Sequence, residues 1–207
     1  MALNNDKKIL KGFWVLEGLD GAGTTTQLKN ICNALSEKQI PYFQTAEPTD
    51  NPTGKFLRKV LSGEIKVQQD TIAHLFAADR NDHIFNDSYG VIRHLNNGEI
   101  VVSDRYLFSS FGYQGVVCSW DFIEKLNSDF PYPSHIIFID TPPEACLKRI
   151  ESRGNAKEIY EKLDYQIKVK ENYEKIFSSL PEGCTLLRID GRLSKEEIFS
   201  QILKELL

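Results

Sequence analysis

The run Gly18-Leu19-Asp20-Gly21-Ala22-Gly23-Thr24-Thr25 has the residue types and spacing of a phosphate cradle. It follows the apolar residues Phe13-Trp14-Val15-Leu16 and precedes a helical pattern, the layout of the strand, G-x-x-x-x-G-K-[ST] loop and helix. Glycine at 18, 21 and 23 permits backbone angles that a Cβ would forbid, so successive N–H groups can turn inward to face an anion. A helix starting near Thr24 would add its free N–H groups and the positive end of its dipole. Thr25 stands where a hydroxyl meets Mg²⁺ in such loops, and Thr26 follows it. Thr24 stands where the motif has lysine. A unit charge at about 4 Å, with an effective dielectric near 20, is worth ~4 kcal/mol. Felt only in a transition state, that is roughly a thousandfold in rate. The plainer alternative is a glycine-rich turn with no ligand.

Further chemistry-bearing groups lie downstream. Val101-Val102-Ser103 runs into Asp104-Arg105-Tyr106. An acid at the end of a buried strand beside a phosphate loop can order the water around Mg²⁺, and the adjacent arginine can grip a phosphate bidentately. A strand-end salt bridge is the bland reading of the same pair. Phe76 and Arg80, four residues apart, share a helix face and could stack a base and hydrogen-bond its edge; Phe76 could equally be core. Ser109-Ser110-Phe111-Gly112-Tyr113-Gln114 offers hydroxyls, a ring and an amide that could read a sugar and a base edge.

The elements that must position these groups follow from the apolar pattern. Strands are expected at Phe13–Glu17, Tyr42–Ala46, Ile100–Ser103, His135–Asp140 and Thr185–Ile189. Helical stretches lie between them: one after the loop (Leu28, Ile31, Cys32, Leu35), a long one from Thr71 to about Leu95, short ones at Ile123–Leu126 and Ala145–Ile150, a charged one over 158–180, and Lys195–Leu207. Alternation of this kind predicts a parallel sheet covered on both faces, with ligands at the carboxyl ends of the strands. The loops after Glu17, Ala46, Ser103 and Asp140 should therefore converge. Gly54, Pro131 and Pro133 read as loop punctuation.

Composition limits the alternatives. The 207 residues are 41% hydrophobic and 26% charged, enough for one core and one domain spanning 1–207. A net charge of −4 argues against binding polymeric nucleic acid, so phosphate binding must come from locally placed arginines and lysines. Cys32, Cys118, Cys146 and Cys184 form no C-x-x-C pair and read as thiols in a reducing compartment. No secretory signal core opens the chain and no apolar run approaches the ~20 residues of a membrane span, so a cytoplasmic location is expected.

Taken in order, these motifs resemble the thymidylate kinase family of P-loop nucleoside monophosphate kinases. The matches run from Phe13 to Gln27, through Glu47-Pro48-Thr49 with Gly54 and Arg58, to Leu75-Phe76-Ala77-Ala78-Asp79-Arg80. They continue with Asp104-Arg105-Tyr106 leading to Ser110, Tyr113 and Gln114, then Asp140-Thr141-Pro142-Pro143-Glu144 followed by Arg149 and Arg153. The resemblance implies a P-loop NTPase-like three-layer α/β sandwich with a five-stranded parallel sheet, a small lid roughly over 149–162, and a homodimer. It implies transfer of the γ-phosphoryl group of ATP to dTMP, giving dTDP and ADP for dTTP biosynthesis, with Mg²⁺. Carried over residue by residue, Gly18, Asp20, Gly21, Ala22, Gly23, Thr24, Thr25 and Thr26 would hold ATP together with Arg149, and Thr25 and Asp104 would hold the metal. Phe76 would stack on thymine, with Arg80 at its base and phosphate side and Ser110 and Gln114 at its edge. Arg58 and Arg105 would hold the acceptor phosphate, Asp20 would lie near the sugar 3′-hydroxyl, Tyr113 would crowd the 2′ position, and Glu47 would lie near the acceptor and metal. Asp20, Arg105 and Arg153 would be catalytic.

The chain departs from the family pattern at three cationic positions: Thr24 in the loop, Ala46 before Glu47-Pro48, and Ile159 in the lid segment. Arg149, Arg153, Lys157 or Lys162 could stand in. Arg149 and the region around Asp190-Gly191-Arg192 are candidates for the adenine side. Two other readings stay open from sequence: a kinase for another nucleotide or nucleoside acceptor, and a catalytically weak nucleotide-binding protein.

Overall fold

A computed structural model describes residues 8–152 and 162–206. In chain order its elements are β1 (Ile9–Gly18), α1 (Thr24–Glu37), β2 (Tyr42–Ala46), α2 (Pro52–Leu61), α3 (Gln69–Phe85), α4 (Val91–Asn96), β3 (Ile100–Asp104), α5 (Leu107–Tyr113), α6 (Trp120–Leu126), β4 (Tyr132–Asp140), α7 (Pro143–Glu151), α8 (Leu163–Phe177), β5 (Thr185–Asp190) and α9 (Lys195–Leu206). A short 3₁₀ turn, Gln114–Val116, follows α5.

The strands form one five-stranded sheet in the order β2-β3-β1-β4-β5, and every pair is parallel. β1 is central, and its buried Phe13, Val15 and Leu16 belong to a core shared by strands and helices. The topology also sets the faces. The β1-to-β2 crossover runs one way along the sheet, and the later crossovers run the other way. With right-handed connections throughout, the first helix must lie on one face and the later crossover helices on the other. The packing follows that rule: α1 packs on α9, and α5 packs on α8. The loops after β1 and β3 thus depart to opposite faces from adjacent strands, and a crevice opens between them.

All five expected strands are present, but several boundaries move. β1 starts at Ile9 rather than Phe13; Gly12, at φ +80°, sits at a shift in register between Leu10 and Trp14 that interrupts the apolar pattern. The single helix expected over Thr71–Leu95 is two, α3 and α4, separated at 86–90. There Asn86 takes extended backbone and its side chain accepts from Ser88 N–H. The helix expected over 158–180 is α8; of that range, 158–161 lie outside the described residues.

Gly54 is not loop punctuation. It lies inside α2, where a Cβ would come within 2.1 Å of Thr49 O, so the residue serves close packing. Pro133 likewise lies within β4, paired with Leu10 near the start of the strand. Two helices fall outside the expected set. α2 is announced by Asn51-Pro52, but Gly54 obscures it. Every residue of α5 is buried, so it has no polar face to reveal its period.

Candidate active site

The glycine loop closes between β1 and α1. Gly21 and Gly23 have φ of +84° and +108°, and a Cβ on Gly21 would come within 2.7 Å of Cys146 O on α7. Thr26 and Gln27 N–H groups turn back to Gly23 O, at 3.1 and 3.2 Å. Helix geometry leaves the Thr24 and Thr25 N–H groups without an intrahelical acceptor. No acidic residue occupies the first turn of α1, so nothing there competes with an anion.

A cleft of about 710 Å³ runs from this loop to the far side of the crevice. From the loop it takes Asp20, Gly21, Gly23, Thr24, Thr25 and Thr26; from the opposite wall, Glu47, Arg58, Phe76, Arg105, Tyr113 and Gln114; and Asp104 at the junction. Residues from six separate stretches of sequence therefore meet in one space. Gly18, Ala22, Arg80, Ser110 and Arg149 lie outside its lining, and Arg153 lies outside the described residues.

Thr25 and Asp104 meet as the metal reading requires. Thr25 Oγ1 donates to Asp104 Oδ2 at 2.6 Å, and Asp104 Oδ1 is buried with no hydrogen-bond partner among the described residues. A hydroxyl and a carboxylate with an unused oxygen suit Mg²⁺, which takes one or two protein oxygens and completes its shell with water and phosphate. No group of three or more His, Cys, Asp or Glu able to hold a metal by themselves occurs among the described residues.

Arg105 is the hub between the two walls. Its backbone lies in the left-handed region, φ +75°, which a non-glycine residue occupies at a cost of about 1–3 kcal/mol. That turn directs its side chain back over β1. Nη2 reaches Asp20 Oδ1 at 2.5 Å and Tyr113 Oη at 3.2 Å; Nη1 reaches Gly18 O at 3.0 Å and Ser109 Oγ at 3.1 Å. Its guanidinium also lies 4.9 Å from the centroid of the Tyr113 ring. Tyr113 Oη accepts from Asp20 N–H at 2.9 Å, so the tyrosine is tied to the phosphate loop as well.

Arg80 does not line the cleft. Its guanidinium is fully buried beneath the acceptor wall, donating from Nε and Nη2 to Glu47 Oε2 at 2.9 and 2.6 Å and from Nη1 to Ser110 Oγ at 3.2 Å. His83 Nδ1 lies 2.9 Å from the other Glu47 oxygen, and its Nε2 lies 2.7 Å from Thr45 Oγ1. Burial would raise the Glu47 pKa, but the Arg80 charge and the His83 hydrogen bond outweigh it and hold the carboxyl below its ordinary value. Glu47 is thus an ionised group seated on Arg80, and Ser110 supports that seat.

Arg58, half exposed, donates through Nη2 to Pro48 O and lies 3.6 Å from Asp50. Arg149 donates to Gly191 O at 2.8 Å and Ala22 O at 3.2 Å, bracing the phosphate loop against the turn after β5. Gln114 carries a different signal. Its side chain is buried at the cleft, and neither Nε2 nor Oε1 has a partner among the described residues. A buried amide left unpaired costs about 1–3 kcal/mol per group, so the site is built for a ligand offering one donor and one acceptor.

Sequence reasoning missed the residues that hold this constellation. Asp79 accepts from Thr49 N–H and Oγ1 at 2.7 and 2.6 Å and fixes the loop after β2. Glu17, fully buried on β1, accepts from Tyr106 N–H, Ser109 Oγ and Tyr173 Oη. A carboxylate closing an apolar strand was the available signal for Glu17. Tyr173 had none, because it is 156 residues from Glu17 in sequence.

Residues 16–202 match the family model described as Thymidylate kinase. Relatives whose names carry the words thymidylate kinase include proteins of Treponema pallidum, Pyrococcus horikoshii and Leptospira interrogans. The Treponema protein is 37% identical, covering 96% of each chain. The Pyrococcus protein is 36% identical, over 92% of this chain and 93% of its own. The Leptospira protein is 35% identical, over 98% of this chain and 95% of its own.

Proposed function

The chain belongs to the thymidylate kinase family, and we propose from that membership that it transfers the γ-phosphoryl group of ATP to the phosphate of dTMP, giving dTDP and ADP, as one domain over 1–207. The observation that carries the choice of acceptor is Gln114. Its unpaired amide offers a donor and an acceptor in the same cleft as the Phe76 ring, matching the imide edge and flat face of thymine.

Phosphoryl transfer needs positioning and charge cancellation rather than a covalent nucleophile. The Gly21–Thr25 amides and the α1 N-terminus hold the donor phosphates. Arg105 and Arg58 hold the acceptor phosphate; Arg58 has to leave Pro48 and Asp50 to do so. Asp20 serves the sugar hydroxyl while keeping Arg105 in line, and Tyr113 narrows the space beside the sugar, favouring deoxyribose. Mg²⁺ would be held by Thr25 and Asp104 and would supply charge neutralisation on the phosphates. Glu47, ionised on its Arg80 seat, faces the same junction. Arg149 and Arg153 belong to the ATP side. A homodimer and a cytoplasmic location complete the reading; no described helix is long and apolar enough to cross a membrane.

The test is a coupled assay with Mg-ATP and a panel of dTMP, dUMP, dCMP, dAMP and thymidine. The expected result is the highest kcat/KM with dTMP. A better acceptor in the panel, or no turnover with any, rejects the reading.

A further inference from the structure

Glu17 sits one residue before the phosphate loop, fully buried at the end of the apolar run Phe13-Trp14-Val15-Leu16 of β1. Its Oε1 accepts Tyr106 N–H at 2.9 Å. Its Oε2 accepts from Ser109 Oγ at 2.7 Å and from Tyr173 Oη at 2.8 Å. Those two hydroxyl oxygens are 3.0 Å apart, and they lie 3.1 and 3.5 Å from Arg105 Nη1. A carboxylate, two hydroxyls and the hub guanidinium therefore form one contiguous set.

Proton counting gives this set a direction. Each hydroxyl has one hydrogen and two lone pairs, and a guanidinium can only donate. With Glu17 ionised, both hydroxyl hydrogens point at Oε2, and the lone pairs are left facing Arg105. A neutral carboxyl brings a hydrogen of its own. Placed on Oε2, it takes a lone pair from one hydroxyl and turns that hydroxyl's hydrogen toward its neighbour or toward Arg105. Turned toward its neighbour, that hydrogen leaves each hydroxyl one lone pair for Arg105 instead of two; turned toward Arg105, it meets the guanidinium N–H where there had been an acceptor.

We propose that Glu17 is a positioning residue for phosphoryl transfer: its carboxylate orients the Ser109 and Tyr173 hydroxyls, and through them holds Arg105 at the junction of the phosphate loop and the acceptor cleft. The step that Arg105 serves rests on the dTMP kinase reading. The groups facing Glu17 are Arg105 and the Tyr106 N–H from the end of β3, Ser109 from α5 and Tyr173 from α8; its partner on β4 is the apolar Phe138. Arg105 is the charge among them. Burial pushes the Glu17 carboxyl up to about 7, against the opposing pull of Arg105 and the hydrogen bonds. The positioning is therefore complete above that pH and lost as pH falls through it.

Glu17→Gln keeps the volume and removes the charge. It is expected to lower kcat/KM for dTMP at least tenfold at pH 8, raising KM for dTMP more than KM for ATP. In the wild type, kcat/KM for dTMP should fall on an acid limb near pH 7 that is missing from Glu17→Gln. The phosphate of dTMP itself ionises near pH 6, so a limb common to both proteins belongs to the substrate. Tyr173→Phe removes a hydrogen bond that favours the ionised form and should move the limb to higher pH. A folded Glu17→Gln enzyme with wild-type kcat/KM and the same limb overturns the proposal. If Glu17→Gln does not fold, an unmoved limb in Tyr173→Phe overturns it.

A readout free of turnover separates this proposal from the assignment of substrate. In ¹³C spectra of the protein without nucleotide, a glutamate carboxyl should titrate near pH 7 together with the Arg105 side-chain resonances. If these move together while dTMP is not phosphorylated, the functional reading fails and the coupling stands. If Arg105 does not respond to that titration, the coupling fails whatever the acceptor.

Discussion

At residue scale the chemistry turns on Thr24. It lines the cleft at the first position of α1, where the family's lysine would reach the outer phosphates. Arg105 is committed to Asp20, Gly18 O and Tyr113, and Arg149 to loop and turn carbonyls, so neither replaces that charge in the geometry seen. Restoring it should help. Thr24→Lys is expected to raise kcat by roughly ten- to a thousandfold with KM for dTMP little changed, the upper bound being a full ~4 kcal/mol felt only in the transition state. Steady-state kinetics decides it; no gain or a loss means that the site has been rebuilt around another cation. Glu17 makes a second prediction at this scale, on stability. Its carboxyl ionises near 4.5 when exposed and near 7 in the fold. Between those values the native state binds the extra proton, so the group's contribution is present below about 4.5 and lost as pH rises through about 7. The whole shift corresponds to ~3 kcal/mol. In urea unfolding, the wild type should lose about that much relative to Glu17→Gln between pH 4.5 and 8. Parallel pH–stability curves for the two proteins contradict it.

At the scale of elements, α3 is the scaffold of the acceptor wall, and its buried face is unusually polar: Asp79, Arg80 and His83 lie inside with Ile72, Phe76 and Ile84. The helix needs all three polar side chains satisfied, and each is used to fix the loop after β2. Arg80 and His83 seat Glu47, while Asp79 holds Thr49. Asp79→Ala leaves the Thr49 N–H and hydroxyl without their acceptor in a buried place, a cost of about 1–3 kcal/mol. The same change frees the loop that carries Glu47 and faces Arg58. A lower denaturation midpoint should therefore come with a several-fold rise in KM for dTMP. Loss of stability at unchanged KM would separate Asp79 from the acceptor site.

At the scale of the whole molecule, the parallel sheet is what brings two anionic substrates together. β1 and β3 are neighbours in the sheet, yet their loops leave toward opposite faces, so the crevice is bounded by the phosphate loop on one side and by Asp104-Arg105 on the other. Ligands that bridge these walls bind only the folded chain. Saturation with dTMP at about a hundred times its Kd should add ~2.7 kcal/mol to unfolding, a rise in Tm of roughly 5–10 °C for a chain of this size. Differential scanning fluorimetry measures it directly. No shift with dTMP at concentrations that saturate the assay would mean that the folded chain does not bind dTMP at the affinity the assay implies.

The amino-acid sequence by itself determined the phosphate loop, the five strands and the order of the motifs around them. Those signals are local: glycine spacing governs a turn, and alternation of apolar runs governs strands and helices. Phe76, Arg105, Tyr113 and Gln114 were legible because each sits in a short motif, and the structure gathers them with Thr25 and Asp104 around one cleft. What only the tertiary structure decided is which side of the wall each group takes. Phe76 and Arg80 share a face of α3 by spacing, yet the ring lines the cleft while the guanidinium lies beneath it, bound to Glu47. Pairings such as Glu17 with Tyr173 leave no local trace, because the cost of burying a charge depends on partners that the chain supplies from elsewhere in its length.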